Sequence, residues 1–239
     1  MRSGFQNGKK SEKAERKAIE LLEKFPLSTV VMNILGPSLV KLEKNIEAAE
    51  IYKKLSHLRP ESAEIFNNYG ISLCRIDNLN EALAAFSTAI KIRPEYPEAY
   101  NNIGKVLYSN RRIALSSSFF KYAIKINPEY AEAHYNMGNI HLRRGDNLSA
   151  INSFKLAVEY QKEYAEAYNN LGSAYREHGY SNKALTCFEK AVELRPRSVE
   201  VLNNLGICYR DFGLLDLAKR SFEKAILINP NSGETHRYL

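Results

Sequence analysis

The side chains best suited to hold a ligand in this sequence are asparagines that recur every 34 residues. An asparagine amide offers a hydrogen-bond donor and an acceptor, which matches the peptide unit of an extended chain. Asparagine is only a middling helix former, so helix propensity does not explain the recurrence. One series, the ladder asparagines, is Asn68, Asn102, Asn136, Asn170 and Asn204. The companion asparagines each precede a ladder residue: Asn67, Asn101, Asn169 and Asn203.

No other set of residues in the sequence has the spacing that catalysis or cofactor binding requires. The chain contains no phosphate-binding glycine loop, nucleophile elbow, H-E-x-x-H or C-x-x-C motif. His134 and His141 stand where sister segments carry tyrosine or leucine, which indicates packed side chains. The cysteines Cys74, Cys187 and Cys208 are too far apart for a disulfide framework or a zinc site and predict free thiols. We therefore expect no enzymatic activity, no cofactor and no metal in this chain.

Four more series share the period of 34 residues and predict the elements that carry the asparagines. Mid-helix glycines cost about 1 kcal/mol relative to alanine, so we expect another helix to pack there too closely for a side chain. Prolines end each second helix, and Lys162 replaces one of them, which allows that helix to run on by a turn. Gly145, Gly179 and Gly213 predict left-handed turns between paired helices. The mid-helix glycine series is Gly36, Gly70, Gly104, Gly138, Gly172 and Gly206. An aromatic series, which we expect to fill the space between helices, is Tyr52, Phe86, Phe120, Phe154, Phe188 and Phe222.

The pattern A-E-A-Y-N-N-L-G-x-x-Y, then A-x-x-x-F-x-x-A, then P, resembles the tetratricopeptide repeat (TPR) and is nearly complete in residues 165–198. The resemblance implies an all-α fold, a right-handed α-solenoid of antiparallel helix pairs. Pro37, inside a first helix, and the turn at Arg111 and Arg112 depart from the pattern. The predicted segments are a tail with a partial repeat (1–28), six repeats (29–62, 63–96, 97–130, 131–164, 165–198, 199–232) and the start of a seventh (233–239).

The first helices of TPR superhelices line a concave groove, so the resemblance places the ladder asparagines along that groove. The repeat region of this chain is similar to that of O-GlcNAc transferase, where such asparagines hold the substrate backbone. It is also similar to bacterial TPR proteins with C-terminal transferase domains. Ile34 and Tyr238 occupy the ladder position at the two ends. The alternative is that the amides bond to neighbouring helices and only fix the stacking of repeats.

The resemblance implies a scaffold that binds an extended peptide or a partner protein. The alternative is a substrate-recruiting arm of a glycosyltransferase or sulfotransferase, truncated after Leu239. The second residue of each first helix from Glu64 onward is acidic, which excludes the carboxylate clamp of chaperone-tail adaptors. Basic residues further along the same helices could favour an acidic or phosphorylated segment, or could simply be solvated: Arg75, Lys105, Arg143, Arg176 and Arg210.

Charge and hydropathy limit the other classes of partner. The net charge of +7 is spread among 27 acidic residues without a dense basic block, and no base-reading code is present, so nucleic acid is an unlikely ligand. No stretch approaches the roughly 20 apolar residues of a membrane span, and no signal peptide is present, which predicts a cytoplasmic location. The chain ends on an uncapped repeat, which predicts a fragment of a longer protein and possible self-association there.

Overall fold

Helices make up the regular structure of the chain in a computed structural model that describes residues 15–239. Residues 1–14 of the predicted tail and partial repeat lie outside the described residues. The described part of the first helix, α1, covers residues 15–24. The other helices are α2 Thr29–Lys41, α3 Asn45–Leu58, α4 Ala63–Arg75, α5 Leu79–Ile92, α6 Pro97–Ser109, α7 Ile113–Ile126, α8 Ala131–Arg143, α9 Asn147–Tyr160, α10 Ala165–Glu177, α11 Ser181–Leu194, α12 Val199–Asp211, α13 Leu215–Ile228 and α14 Gly233–His236.

The predicted all-α class is confirmed, because residues 15–239 contain no strand. First helices of 13 residues alternate with second helices of 14 residues from α2 to α13. Short turns join the members of each pair, which makes them antiparallel neighbours. The helices form two compact units, residues 15–126 and Asn127–Leu239, each with a hydrophobic core of its own. None of the helices within the described range is long and apolar enough to cross a lipid bilayer.

The mid-helix glycines make room for an aromatic ring of the second helix in the same repeat. A Cβ atom added to Gly104 would lie 2.5 Å from Cε1 of Phe120, and one added to Gly172 would lie 2.8 Å from Cε1 of Phe188. Both phenylalanines are fully buried. Burying such a ring contributes about 1.5–3 kcal/mol, which outweighs the cost of the glycine. The predicted close approach is therefore confirmed, and the group that approaches is a ring.

The turn inside each pair passes through a left-handed residue. Gly145, Gly179 and Gly213 adopt φ values of 75°, 82° and 75°, as the sequence predicted. In the first unit the same place is taken by residues with a side chain, Glu43, Asp77 and Arg111, at φ of 58–59°. Only glycine adopts this conformation without strain, so the three turns of the first unit are strained and those of the second are relaxed.

The expectation that helix α9 could run on past Lys162 is wrong. Helix α9 ends at Tyr160 with the same length as its sister helices, and Gln161 has extended backbone angles, φ −132° and ψ 97°. The helix that follows begins at Ala165, which is buried, so packing of the next helix sets the end without a proline. Pro37 likewise does not interrupt α2, which is continuous from Thr29 to Lys41.

Candidate functional site

The ladder and companion asparagines occupy the first helices of both units but differ in exposure. The first unit carries them on α4 and α6, and the second carries them on α8, α10 and α12. The four companion asparagines are buried, whereas all five ladder asparagines are half-buried. Successive residues of an α-helix differ by about 100° in direction, so only one of two neighbours can face solvent. The ladder series is therefore the one that a ligand can reach.

Hydrogen bonds connect ladder asparagines to the companion asparagine of the preceding repeat. In the first unit, Nδ2 of Asn102 donates to Oδ1 of Asn67 at 3.0 Å. In the second unit, Nδ2 of Asn204 donates to Oδ1 of Asn169 at 2.9 Å. The same bond thus forms in two separate places between successive first helices. This is the contact that the stacking interpretation predicted.

Asn170 reaches the preceding helix through different partners, because Tyr135 replaces the companion asparagine there. Its Nδ2 donates to Oδ1 of Asn139 at 2.9 Å and to the hydroxyl of Tyr135 at 3.2 Å. Burial raises the pKa of Tyr135, whose ring centroid lies 5.0 Å from that of Tyr164. Tyr135 is therefore a neutral phenol that holds Asn170 in place. The sequence analysis missed Tyr135 and Asn139, and the one gap in the companion series was the signal that could have identified them.

Two of the buried companion asparagines, Asn169 and Asn203, also bond forward to the next first helix. Nδ2 of Asn169 donates to Oε1 of Glu200 at 2.9 Å, and Nδ2 of Asn203 donates to Oγ1 of Thr235 at 3.0 Å. Glu200 belongs to the acidic series at the second residue of the first helices. These contacts satisfy amides that are removed from water, as buried polar groups require. Asn169 and Asn203 therefore join repeats, while Asn102 and Asn204 of the ladder series each keep a side-chain oxygen that bonds to no described residue.

The ionisable side chains of this region are held in unreactive states. Burial raises the pKa of Cys187 to about 11 and also raises the pKa values of Cys74 and Cys208. Thiols with raised pKa values are poor nucleophiles, and all three are free of disulfides, as predicted. His134 is buried with Nε2 2.8 Å from the carbonyl oxygen of Pro128, and Nδ1 of His141 lies 3.6 Å from Oδ2 of Asp146.

The arrangement can therefore form hydrogen bonds but offers no activated nucleophile. In the part of the chain that the structure describes, no three His, Cys, Asp or Glu side chains are grouped so that they could hold a metal ion. Among the basic residues predicted further along the first helices, Arg75, Lys105, Arg143 and Arg210 are exposed and Arg176 is half-buried. The guanidinium of Arg210 lies 5.9 Å from the ring centroid of Tyr238, which occupies it as a cation–π partner.

Four family models match the sequence between residues 72 and 220. One is described as TPR repeat and matches residues 72–110. Three are described as tetratricopeptide repeat and match residues 97–130, 129–197 and 187–220. A comparison with curated proteins found no significant match.

Solved structures of low sequence identity share the fold. The APC/C hetero-tetramer Cut9–Hcn1 has a TM-score of 0.82 at 19% identity, covering 96% of this chain and 45% of that one. The chain thus spans less than half of the length of that relative. PilF of Pseudomonas aeruginosa has a TM-score of 0.76 at 14% identity, and the match covers 95% of this chain and 97% of that one. YrrB, described as a TPR protein with an unusual peptide-binding site, has a TM-score of 0.61 at 23% identity, and the match covers 79% of this chain and 97% of that one.

Proposed function

Because the chain belongs to the tetratricopeptide-repeat family, we propose that it is a protein-interaction scaffold whose first helices bind an extended peptide of a partner protein. The observation that carries the proposal is the orientation of the ladder amides. Asn102 and Asn204 donate through Nδ2 to the preceding repeat. Their Oδ1 atoms have no hydrogen-bond partner among the described residues and belong to half-buried side chains. The stacking bonds therefore hold each oxygen ready to accept a peptide N–H.

The stacking role and the binding role are compatible, because they use different atoms of one amide. An asparagine carries two donors on nitrogen and two lone pairs on oxygen. An extended peptide presents backbone N–H groups at regular intervals, whatever its side chains are. A row of fixed amide oxygens would therefore hold the peptide backbone and tolerate changes in the peptide sequence. YrrB, described as a TPR protein with an unusual peptide-binding site, is consistent with this type of ligand.

The strength of such a row is limited. Each hydrogen bond contributes about 0.5–1.5 kcal/mol net, so five ladder asparagines contribute on the order of 5 kcal/mol. Association costs about 4–15 kcal/mol in lost freedom. Side-chain contacts of the peptide must therefore supply part of the affinity, and a peptide that uses the ladder alone would bind weakly.

Backbone methylation of a bound peptide tests the proposal. A peptide is selected from a random library against the intact chain, and each of its N–H groups is methylated in turn. Methylation at positions that pair with the ladder should weaken binding by about 2- to 12-fold, the value of one hydrogen bond. Substitution of the side chains at the same positions is the matched control and should have smaller effects. If methylation is harmless at every position, the ladder does not bind the backbone.

The alternative role, a substrate-recruiting arm of a glycosyltransferase or sulfotransferase, uses the same face and stays a hypothesis. The coding sequence after Leu239 tests it, because this alternative requires a catalytic domain there. The expected cytoplasmic location belongs to both versions of the proposal. Microscopy of the tagged full-length protein would check it.

Self-association is a second candidate interaction, and exposed leucines on the last long helix favour it. Leu215 and Leu227 on α13 are 66% and 82% exposed. We expect a second copy of the chain to cover them at high concentration. Sedimentation velocity should then show an oligomer that the double change Leu215→Lys and Leu227→Lys removes and that the control Leu148→Lys, at an exposed leucine of α9, leaves intact. A monomer at every concentration would contradict the idea.

A further inference from the structure

A polar pocket in the first unit combines residues at repeating positions with two departures from the repeat pattern. It has a volume of about 340 Å³ and lies where α2, α3 and α4 meet. It is lined by Asn33, Pro37, Tyr52, Arg59, Ser62, Glu64, Ile65 and Asn68. One of these residues, Asn68, is the first ladder asparagine. The pocket thus adjoins the end of the proposed peptide-binding face.

Two departures from the repeat pattern meet in this pocket. Tyr52 is the only member of the aromatic series that is not phenylalanine, and its hydroxyl oxygen lies 3.0 Å from the position that a Cβ of Gly36 would occupy. Pro37, which follows Gly36, has no N–H to donate to the carbonyl oxygen of Asn33, four residues earlier in the helix. Both departures add hydrogen-bonding capacity here: Tyr52 has a hydroxyl that phenylalanine lacks, and Pro37 leaves one helix carbonyl oxygen without its usual N–H donor.

The side chain of Tyr52 is buried, but its hydroxyl opens into the pocket. The side chain is only 4% exposed, and no described residue forms a hydrogen bond with its hydroxyl. The side-chain amide of Asn68 also makes no hydrogen bond within the described range. Buried polar groups are normally paired with protein or water, so this hydroxyl can pair with water or with a ligand group that enters the pocket.

The pocket lining holds one cationic and one anionic side chain, Arg59 and Glu64. The carboxylate of Glu64 takes part in no ion pair within residues 15–239. Arg59 is paired, because its Nε lies 2.5 Å from Oε1 of Glu61, outside the pocket wall. Burial and, second, the charge of Glu64 raise the pKa of Tyr52 to about 12, so the phenol stays neutral. Glu64 is therefore the uncompensated charge, and the groups beside it can accept hydrogen bonds.

We infer that this pocket receives a lysine or arginine side chain of the bound peptide. Its ammonium or guanidinium group donates to the carboxylate of Glu64, to the hydroxyl oxygen of Tyr52 and to Oδ1 of Asn68. Such groups carry donors only, and hydrogen bonds between charged partners are the strong ones. The inference rests on the proposed function, because it assigns one subsite of the same peptide. It gives the first unit a subsite for a side chain beside the ladder asparagine Asn68.

The test uses a probe too short to reach along the ladder. Nα-acetyl-arginine methylamide is titrated into the intact chain with ring-labelled tyrosine, followed by NMR, beside the neutral citrulline analogue and the acidic glutamate analogue. The arginine probe should shift the Tyr52 signal. Its dissociation constant should rise about tenfold in Glu64→Gln and about threefold in Tyr52→Phe, the values of a charged and a neutral hydrogen bond. Glu98→Gln, at the equivalent position of the next repeat, is the matched control and should change nothing.

Each result separates this inference from the proposed function. Equal binding of the citrulline or glutamate analogue, or equal affinity of both variants and wild type for the arginine probe, would overturn the inference. The proposal of a backbone-binding face would then stand on its own methylation test. The arginine probe could bind while every library peptide is insensitive to backbone methylation. That result would support the inference about the pocket and contradict the proposal that the ladder binds the peptide backbone.

Discussion

The hydrogen bond between Asn102 and Asn67 allows the stacking and binding roles of the ladder to be measured separately. Asn102→Ala removes a half-buried donor and leaves the buried Oδ1 of Asn67 without its partner. An orphaned buried polar group costs about 1–3 kcal/mol, and the better helix propensity of alanine returns up to about 0.7 kcal/mol. We expect the free energy of unfolding to fall by about 0.5–2.5 kcal/mol.

The double-mutant cycle with Asn67→Ala isolates the bond itself. Asn67→Ala leaves the Nδ2 of Asn102 half-exposed, where water can satisfy it. The double variant should therefore be more stable than the sum of the single changes predicts, with a coupling energy of about 0.5–1.5 kcal/mol. Urea unfolding followed by circular dichroism measures the three variants beside the wild type. A coupling energy of zero would show that the amide bond does not stabilise the stack.

Binding to the library peptide distinguishes the two amides. Asn102→Ala removes an accessible oxygen and should weaken binding by about 2- to 12-fold, whereas Asn67→Ala removes a buried amide and should weaken it less. Asn68→Ala is the matched control, because its side chain makes no hydrogen bond with the described residues. It should weaken binding without lowering the free energy of unfolding. If Asn102→Ala binds as the wild type does while it unfolds more easily, the ladder serves the scaffold alone and the reasoning is refuted.

Three further predictions concern the core and its ionisable groups. Gly172→Ala places a Cβ against the ring of Phe188 and should lower the free energy of unfolding by about 1–3 kcal/mol in urea; a stable variant would show that the ring can move. Burial raises the pKa of Cys187 from 9.0 to about 11, so as the pH rises the thiol loses its proton in the unfolded chain before it does in the folded chain. The free energy of unfolding should therefore fall between pH 9 and pH 11. Cys187→Ala should flatten that part of the pH profile, and an unchanged profile would exclude the thiol. Tyr52→Phe should not lower the melting temperature of the free protein, because the hydroxyl has no partner to lose; a clear decrease would reveal one.

The sequence predicted the helices well because their packing depends on residue size at a fixed period. A glycine opposite a phenylalanine implies one particular distance between two helices, as Gly104 and Phe120 show. The role of each asparagine could not be predicted in the same way. Asn169 and Asn170 are identical in chemistry, and only the rotation of α10 about its axis decides which is buried.

The end of α9 and the pocket at Tyr52 escaped prediction for a related reason. A missing proline removes one signal for ending a helix, but the buried Ala165 of the next helix supplies another that is visible only in three dimensions. Pro37 and Tyr52 were recognisable as departures from the pattern. Their meeting in one cavity depends on the packing of α2 against α3, which no local pattern reports.

The amide bonds between successive first helices also have a mechanical consequence for the second unit. Asn170 bonds to Asn139 and Asn204 bonds to Asn169, so each bond crosses the gap that opens when the stack is stretched. Each is worth only about 1 kcal/mol, so a stretched unit should yield gradually at low force and recover when released. A peptide held by Asn170 and Asn204 together would span the same gap in parallel with these bonds. The bound peptide would then resist extension together with these bonds and make the second unit stiffer.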